Sequence, residues 1–274
     1  MASDKKVVLV TGGNTGLGLE VVKALYASPW PYQIIIGCRT VVKGENAIAS
    51  LIGQISESNS HLSTVQLDIS QDSSIETAVQ DIKSRFGRLD VLVNNAGVLH
   101  DADIAAGKMS IREGFNASWD VNVTGTHVLT TQAMLLLLKS SDPRLMFITS
   151  GTSSLIESGL VDVPVPKLRA LNASPAKGWP KNTPDAIPLY RSVKTGLNIL
   201  MREWHRTLLN DGVKVWGINP GYVATGIGGV GAEEMKKMGA RDPAEAGKFI
   251  KDVVEGSRDE DVGKVVRANG VQPW

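Results

Sequence analysis

The sequence predicts an α/β fold, a doubly wound parallel sheet in a single domain over residues 1–274. Three observations predict it. Short apolar runs alternate with longer amphipathic segments along the chain, the pattern of strands buried on both faces by the helices that connect them. The first apolar run leads straight into a glycine-rich turn and then a helical pattern. Composition is that of an ordinary globular chain, 42% hydrophobic and 21% charged.

In chain order, buried strands are expected at Val7–Val10, Gln33–Gly37, Leu62–Leu67, Val91–Asn94, Leu145–Thr149 and Val213–Ile218, with a last one at Val262–Arg267. Helical patterns lie between them at Leu17–Tyr26, Val42–Ile55, Ser73–Arg85, Ile111–Lys139 and Val193–Leu209. Pro243–Glu255 reads as a further helix that opens on a proline, whose missing N–H costs nothing in a first turn. One stretch breaks the rhythm. Gly151 to Leu189 holds six of the twelve prolines (Pro164, Pro166, Pro175, Pro180, Pro184 and Pro188) and no sustained period. Long irregular segments inside compact domains usually carry function. This one lies between two candidate catalytic residues and is expected to be an ordered excursion over the site. A surface loop without a role is the alternative.

A formal net charge of +1 argues against general attraction to nucleic acid or an acidic membrane. The longest greasy stretch, Met134 to Leu138, is far too short to span a bilayer. Cys38 is the one cysteine, so no internal disulfide and no cysteine-rich zinc site are expected. His61, His100, His127 and His205 show no ligand spacing, so no metal is expected. With no leader pattern before the first strand, a cytoplasmic location is the expectation, and the glycosylation sequons at Asn116, Asn122 and Asn172 read as chance matches.

Glycines at Gly12, Gly16 and Gly18 occupy the turn between the first strand and helix. Backbone approaches phosphate most closely where side chains are absent, and a helix N-terminus adds unpaired N–H groups and a positive dipole end. The spacing Gly-x-x-x-Gly-x-Gly departs from the commoner Gly-x-Gly-x-x-Gly fingerprint. Its placement between strand and helix makes the segment through Asn14, Thr15 and Leu17 a candidate pyrophosphate cradle. The second strand ends in Gly37-Cys38-Arg39. An acid there would accept the ribose hydroxyls of NAD, whereas Arg39 suits the 2′-phosphate of NADP, with Lys43 in reach to assist. NADPH/NADP+ is the expected cofactor. Asp68 and Ile69 end the third strand, where a carboxylate could take the adenine amino group. Asn94-Asn95-Ala96-Gly97 ends the fourth, its small residues permitting close backbone approach.

Tyr190 and Lys194 stand four residues apart, one turn from each other on one helical face. A phenol of ordinary pKa near ~10 is a poor catalyst at neutral pH, and a nearby ammonium brings that pKa down. Ser150, at the end of the fifth strand, is placed to hold a substrate oxygen.

Taken together, these residues resemble a classical short-chain dehydrogenase/reductase from end to end. Thr11-Gly-Gly-Asn-Thr-Gly-Leu-Gly18 is similar to the family's Thr-Gly-x-x-x-Gly-x-Gly motif, and Asn94-Asn-Ala-Gly97 to its structural motif. Asn122, Ser150, Tyr190 and Lys194 fall at its catalytic tetrad, and Pro220-Gly221-Tyr222-Val223-Ala224-Thr225 at the segment along the nicotinamide. The resemblance implies a Rossmann-type fold and a role for each residue. Tyr190 would protonate the nascent alkoxide, and Lys194 would bind the nicotinamide ribose and lower the tyrosine pKa. Ser150 would polarise the carbonyl, with Ser153 as runner-up for that place, and Asn122 would hold a relay water. Val223 and Thr225 would fix the carboxamide.

The 151–189 insertion departs from the commoner pattern and is similar to that of monomeric carbonyl reductases, so a monomer is expected over the tetramer of many relatives. The expected activity is reduction of a ketone or aldehyde on a small-molecule substrate that is apolar or aromatic, the pocket reading suiting bulky ones. An oxidative alcohol or steroid dehydrogenase and a non-catalytic dinucleotide-binding regulator are the alternatives. Leu155, Ile156, Leu160, Val161 and Trp179, with Tyr222, Ile227 and Val230 in a 220–241 substrate loop, would line an apolar pocket or else form a small satellite core.

Overall fold

A computed structural model describes residues 5–163, 166–181, 183, 186–227 and 231–274. Pro164, Pro184 and Val230 lie outside the described residues. Strands β1 (Lys6–Thr11), β2 (Tyr32–Cys38), β3 (His61–Gln66), β4 (Val91–Asn94), β5 (Arg144–Ile148), β6 (Lys214–Ile218), β7 (Val265–Arg267) and β8 (Gly270–Val271) form one sheet in the order β3-β2-β1-β4-β5-β6-β7-β8. All pairings are parallel except β7 with β8. The two-residue β8 is too short to leave a periodic signature, and the sequence reading missed it.

The apolar runs are continuous because the sheet is covered twice. Val7 and Leu9 of β1 point into one core layer, with Ile35 of β2 and Leu92 of β4. Helices α3 (Asp72–Phe86), α6 (Thr126–Leu137) and α9 (Pro188–Leu208) cover that face, through Ile75, Leu129 and Leu197. Val8 and Val10 point the other way, into a second layer with Ile34, Ile36 and Trp216. Here α1 (Gly16–Tyr26), α2 (Val41–Gln54) and α11 (Pro243–Val254) supply Val21, Leu51 and Ile250. Side chains alternate between faces along each strand, so burial of both faces demands an apolar residue at every position.

The chain order reverses between β1 and β4, both of which are central. Ligands of open α/β sheets sit outside the strand C-termini at such a switch point. There Thr11, Asn95, Ser150 and Asn219 leave the sheet close to one another.

Two helical expectations need correction. The apolar pattern Ile111–Lys139 is not one α-helix but α5 (Ile111–Trp119), a π-helical turn Asp120–Gly125, and α6. Gly125 explains the break. A Cβ there would collide with the carbonyl oxygen of Ile69, so the helix approaches the end of β3 more closely than any side chain permits. Helix α9 begins at Pro188 rather than Val193, with proline in its first turn, where the missing N–H does no harm. Within the irregular stretch, the described residues form a tight turn at Gly151–Ser153 and two short helices, α7 (Leu155–Ser158) and α8 (Pro166–Asn172). Further short helices, α4 (Asp101–Ala105) and α10 (Ala232–Lys237), were also unforeseen.

Candidate active site

The turn after β1 has the shape its glycines require. Gly12 and Gly16 have φ of 64° and 54°, in the left-handed region that favours glycine. Gly18 is needed for space, because a Cβ there would collide with the carbonyl of Gly12 and stand 2.5 Å from Asn95 Nδ2. Helix α1 carries no acid in its first turn and no side-chain cap at Thr15, so its leading N–H groups are open to an anion. Asn14 is half-buried, Thr15 is exposed at the mouth of the helix, and Leu17 is buried beneath it. On the opposite wall a Cβ on Gly16 would lie 3.2 Å from the carbonyl of Thr225. This glycine cradle fits a dinucleotide pyrophosphate.

Asn95 and Ala96 are fixed to this turn by Thr11, whose Oγ1 accepts from both backbone amides at 2.9 and 2.8 Å. Arg39 stands exposed just past β2 and pairs with no acid among the described residues. Lys43, in the first turn of α2, is exposed as well. Asp68 is half-buried, and its Oδ1 is committed to the following turn by Ser70 N at 3.0 Å and Ser70 Oγ at 2.7 Å. Ile69 is buried under Gly125 and offers a packing surface more than a ligand contact.

Tyr190, in the first turn of α9, is half-buried, with Ser150 beside its phenol. Desolvation holds its pKa above the ordinary value, opposed by the Ser150 hydroxyl. Lys194 Nζ lies 5.8 Å from the centre of the Tyr190 ring and donates to the carbonyl of Ile148 at 2.8 Å. Lys194 is 4% exposed, and burial pulls its ammonium down to about 8. Asn122 sits in the π-helical turn with its Nδ2 donating to Ser118 O at 2.8 Å and Val98 O at 3.0 Å. Its buried Oδ1 has no donor among the described residues. A Cβ on Gly97 would stand 2.6 Å from that oxygen and 3.6 Å from Lys194 Nζ, so the three residues surround one point. A π-turn re-aims the side chain it carries, which accounts for its occurrence at functional sites.

Ser150 and Ser153 part company here. Ser153 Oγ is buried among Thr149 Oγ1 (3.1 Å), Asn198 Nδ2 (2.9 Å) and the carbonyl of Ser150 (2.6 Å). Ser150 lies beside the phenol, its Oγ paired with Thr152 Oγ1 at 2.9 Å.

The loop after β6 is shaped by Gly221, with φ of 85°, beside the Arg241 guanidinium. Pro220 and Gly221 turn the chain, Val223 forms an isolated parallel bridge with Arg241, and Thr225 N donates to Val223 O at 3.0 Å. Gln272, which the sequence reading missed, joins this loop to the serine. Its Nε2 donates to Ser150 O at 3.2 Å, and its Oε1 accepts from Asn219 Nδ2 at 2.7 Å, while Asn219 Oδ1 accepts from Gly221 N at 2.8 Å. A glutamine near the chain end offers no sequence signal for this.

The expected apolar pocket does not form from the insertion. Leu155, Ile156, Leu160 and Val161 are exposed, and Trp179 is 88% exposed. Tyr222 instead joins a small satellite core with Ala224, Met235 and Ala240, and Ile227 is half-buried. The insertion is nonetheless tied to the site. Arg191, next to Tyr190, donates to Leu171 O at 3.3 Å and Asn172 Oδ1 at 3.0 Å, at the end of α8. Among the described residues no acidic or histidine cluster could hold a metal, and no helix is long and apolar enough to cross a membrane.

A glycine cradle at a helix N-terminus and a tyrosine–lysine–serine set, joined at the switch point of a parallel sheet, define a nicotinamide dinucleotide-dependent oxidoreductase of CH–OH and C=O groups. The short chain dehydrogenase family matches residues 6–160, and the chain belongs to it. It is 42% identical over 273 residues to short-chain dehydrogenase/reductase tropE of Talaromyces stipitatus, covering 99% of each chain. With short-chain dehydrogenase/reductase eupG of a Phoma species it shares 45% identity over 283 residues, covering 100% of this chain and 99% of the other. Among solved structures, the NADPH-bound carbonyl reductase from chicken fatty liver superimposes with a TM-score of 0.74 at 22% identity, covering 98% of this chain and 99% of that one. An NAD complex of 3-oxoacyl-[acyl-carrier protein] reductase from Brucella melitensis gives 0.73 at 21% identity, covering 97% and 96%. These two structures share the fold.

Proposed function

We propose that this chain is an NADPH-dependent carbonyl reductase that converts ketones and aldehydes to alcohols. The observation that carries the reading is Lys194 Nζ 5.8 Å from the centre of the Tyr190 ring, with Ser150 beside the phenol. A phenol is protonated at neutral pH, the state that gives a proton to an oxygen gaining negative charge.

When bound, the nicotinamide supplies hydride to the carbonyl carbon. Ser150 Oγ, beside the same phenol, would donate to the carbonyl oxygen and polarise it. Tyr190 then delivers its proton to that oxygen. Lys194, anchored on Ile148 O, stabilises the resulting phenolate and is the residue to hold the nicotinamide ribose. The buried Asn122 Oδ1, across from Lys194 and Gly97, supports a relay that returns a proton to Lys194. Gly12, Asn14, Thr15, Gly16, Leu17 and Gly18 would hold the pyrophosphate. Asn95, Ala96 and Gly97 would flank the adjoining ribose, and Asp68 and Ile69 the adenine. Pro220, Gly221, Val223 and Thr225 would hold the carboxamide side. Exposed Arg39, with no acid at the end of β2, supports NADPH over NADH.

The test is oxidation of NADPH and NADH across aromatic ketones, ketoesters, quinones and aldehydes, with Tyr190→Phe alongside. NADPH turnover lost in the variant is the expected result. Tight NADPH binding without turnover on any of them would favour a binding regulator.

A further inference from the structure

Helix α9 lacks an N-terminal cap of its own. Ile187 occupies the capping position and has no side-chain acceptor, and Pro188 has no N–H. The first bond made by an amide in that turn is Arg191 N to Ile187 O at 3.0 Å. The amides of Leu189 and Tyr190 precede it. Both donate instead to one carboxylate brought from elsewhere in the chain: Leu189 N to Asp101 Oδ1 and Tyr190 N to Asp101 Oδ2, each at 3.0 Å. Asp101 is 8% exposed, so this is a buried bidentate clamp and not a surface contact. A carboxylate suits the place, because the helix N-terminus carries positive dipole charge and two unpaired donors.

The clamp acts on one member of the Tyr190–Lys194 pair. Lys194 lies a turn deeper in α9, and its Nζ is held by Ile148 O. Tyr190 sits in the turn whose backbone the helix does not hold by itself. Asp101 in turn follows four residues after Gly97, on the segment where Val98 O accepts from Asn122 Nδ2 at 3.0 Å and Ala96 N donates to Thr11 Oγ1. One stretch, 95–101, thus touches the glycine turn, the Asn122 turn and the backbone of Tyr190.

We infer that Asp101 is a positioning residue for Tyr190, setting the height of its phenol against Ser150 and the cofactor cleft by clamping the first turn of α9. The inference rests on the reductase reading above. It extends that reading to a residue outside the tetrad and the glycine motifs.

The experiment compares wild type, Asp101→Ala and Asp101→Asn. It measures single-turnover reduction, NADPH affinity by fluorescence, Tm, and amide exchange of the peptide over 187–194. A misplacement of the phenol on the ångström scale predicts about a 100-fold loss of the reduction rate in Asp101→Ala, with NADPH Kd within about two-fold of wild type. Asp101→Asn keeps one acceptor oxygen and should recover to within about 10-fold of wild type. Exchange should quicken in Asp101→Ala at Leu189 and Tyr190 and stay slow deeper in α9. A folded Asp101→Ala with the wild-type rate would overturn the inference. So would a rate loss matched by an equal loss of NADPH affinity or of folded protein, or an Asp101→Asn no faster than Asp101→Ala. If the wild type itself turns nothing over, the reductase reading fails, and the exchange contrast still decides whether Asp101 clamps the helix.

Discussion

Thr11 and Asn95 hold each other across the two strands where the sheet reverses its order. Asn95 Nδ2 donates to the backbone oxygen of Thr11 at 2.8 Å, and Thr11 Oγ1 accepts from Asn95 N at 2.9 Å. Each residue therefore satisfies a backbone group of the other. Asn95→Ala leaves Thr11 O unpaired and Thr11→Val leaves the amides of Asn95 and Ala96 unpaired, at a cost of about 1–3 kcal/mol per group. Thr11→Val should therefore destabilise more than Asn95→Ala, and the double variant by less than their sum, because they share the clasp. Urea unfolding of the four proteins measures this. Full additivity would show that the two bonds act independently.

Burial gives Lys194 a pH signature. Its pKa falls from 10.5 to about 8 in the folded chain. Below about 8 it is charged in both states and the whole desolvation cost is present. Between about 8 and 10.5 the unfolded chain binds the extra proton, so stability rises with pH through that window. Tyr190, whose pKa is raised, works in the opposite direction above 10, where only the unfolded phenol loses its proton. The urea midpoint of wild type relative to Lys194→Met should therefore climb from pH 7.5 to 9.5. A flat difference would mean that the ammonium is not desolvated.

Arg39 is a candidate cofactor contact whose loss should discriminate between cofactors. A charge-assisted hydrogen bond to a 2′-phosphate contributes about 1.5–3 kcal/mol. Arg39→Ala should thus lower kcat/KM for NADPH about 10- to 100-fold and leave NADH almost untouched. Equal losses with both would place the guanidinium away from the 2′ position.

Arg191 bears on the insertion rather than on the chemistry. Truncation to alanine frees Leu171 O and Asn172 Oδ1 at the end of α8. Limited proteolysis within residues 159–181 should accelerate several-fold, with KM rising more than kcat falls. The monomer expected from the 151–189 insertion is checked by light scattering, which should return a mass of 29.3 kDa. A tetramer mass would overturn this.

Much of the site was legible because its residues are constrained locally. Gly12 and Gly16 are readable from a turn that needs positive φ, and Tyr190 and Lys194 from a spacing of one helical turn. Strand positions were legible because burial on both faces leaves unbroken apolar runs. What escaped depends on contacts between distant residues. The helical reading continues through Asp120–Gly125, while the π-turn there ends where Gly125 meets the Ile69 carbonyl. Asp101 and Gln272 look like any surface acid and amide until the fold sets them against Tyr190 N and Ser150 O. The insertion's apolar residues misled for the converse reason, since hydrophobicity does not say whether a side chain finds neighbours.

Gln272 has a consequence for how the protein comes into being. Its bond to Ser150 spans 122 residues, the clamp of Asp101 on Leu189 spans 88, and the Thr11–Asn95 clasp spans 84. Contacts this distant cannot be rewarded until the intervening chain has been ordered, so they form late. During synthesis the glycine turn and most of the sheet leave the ribosome before the residue that ties Ser150 to the Asn219 loop exists. Helix content should return first on refolding, and enzymatic competence should follow as a separate and slower event.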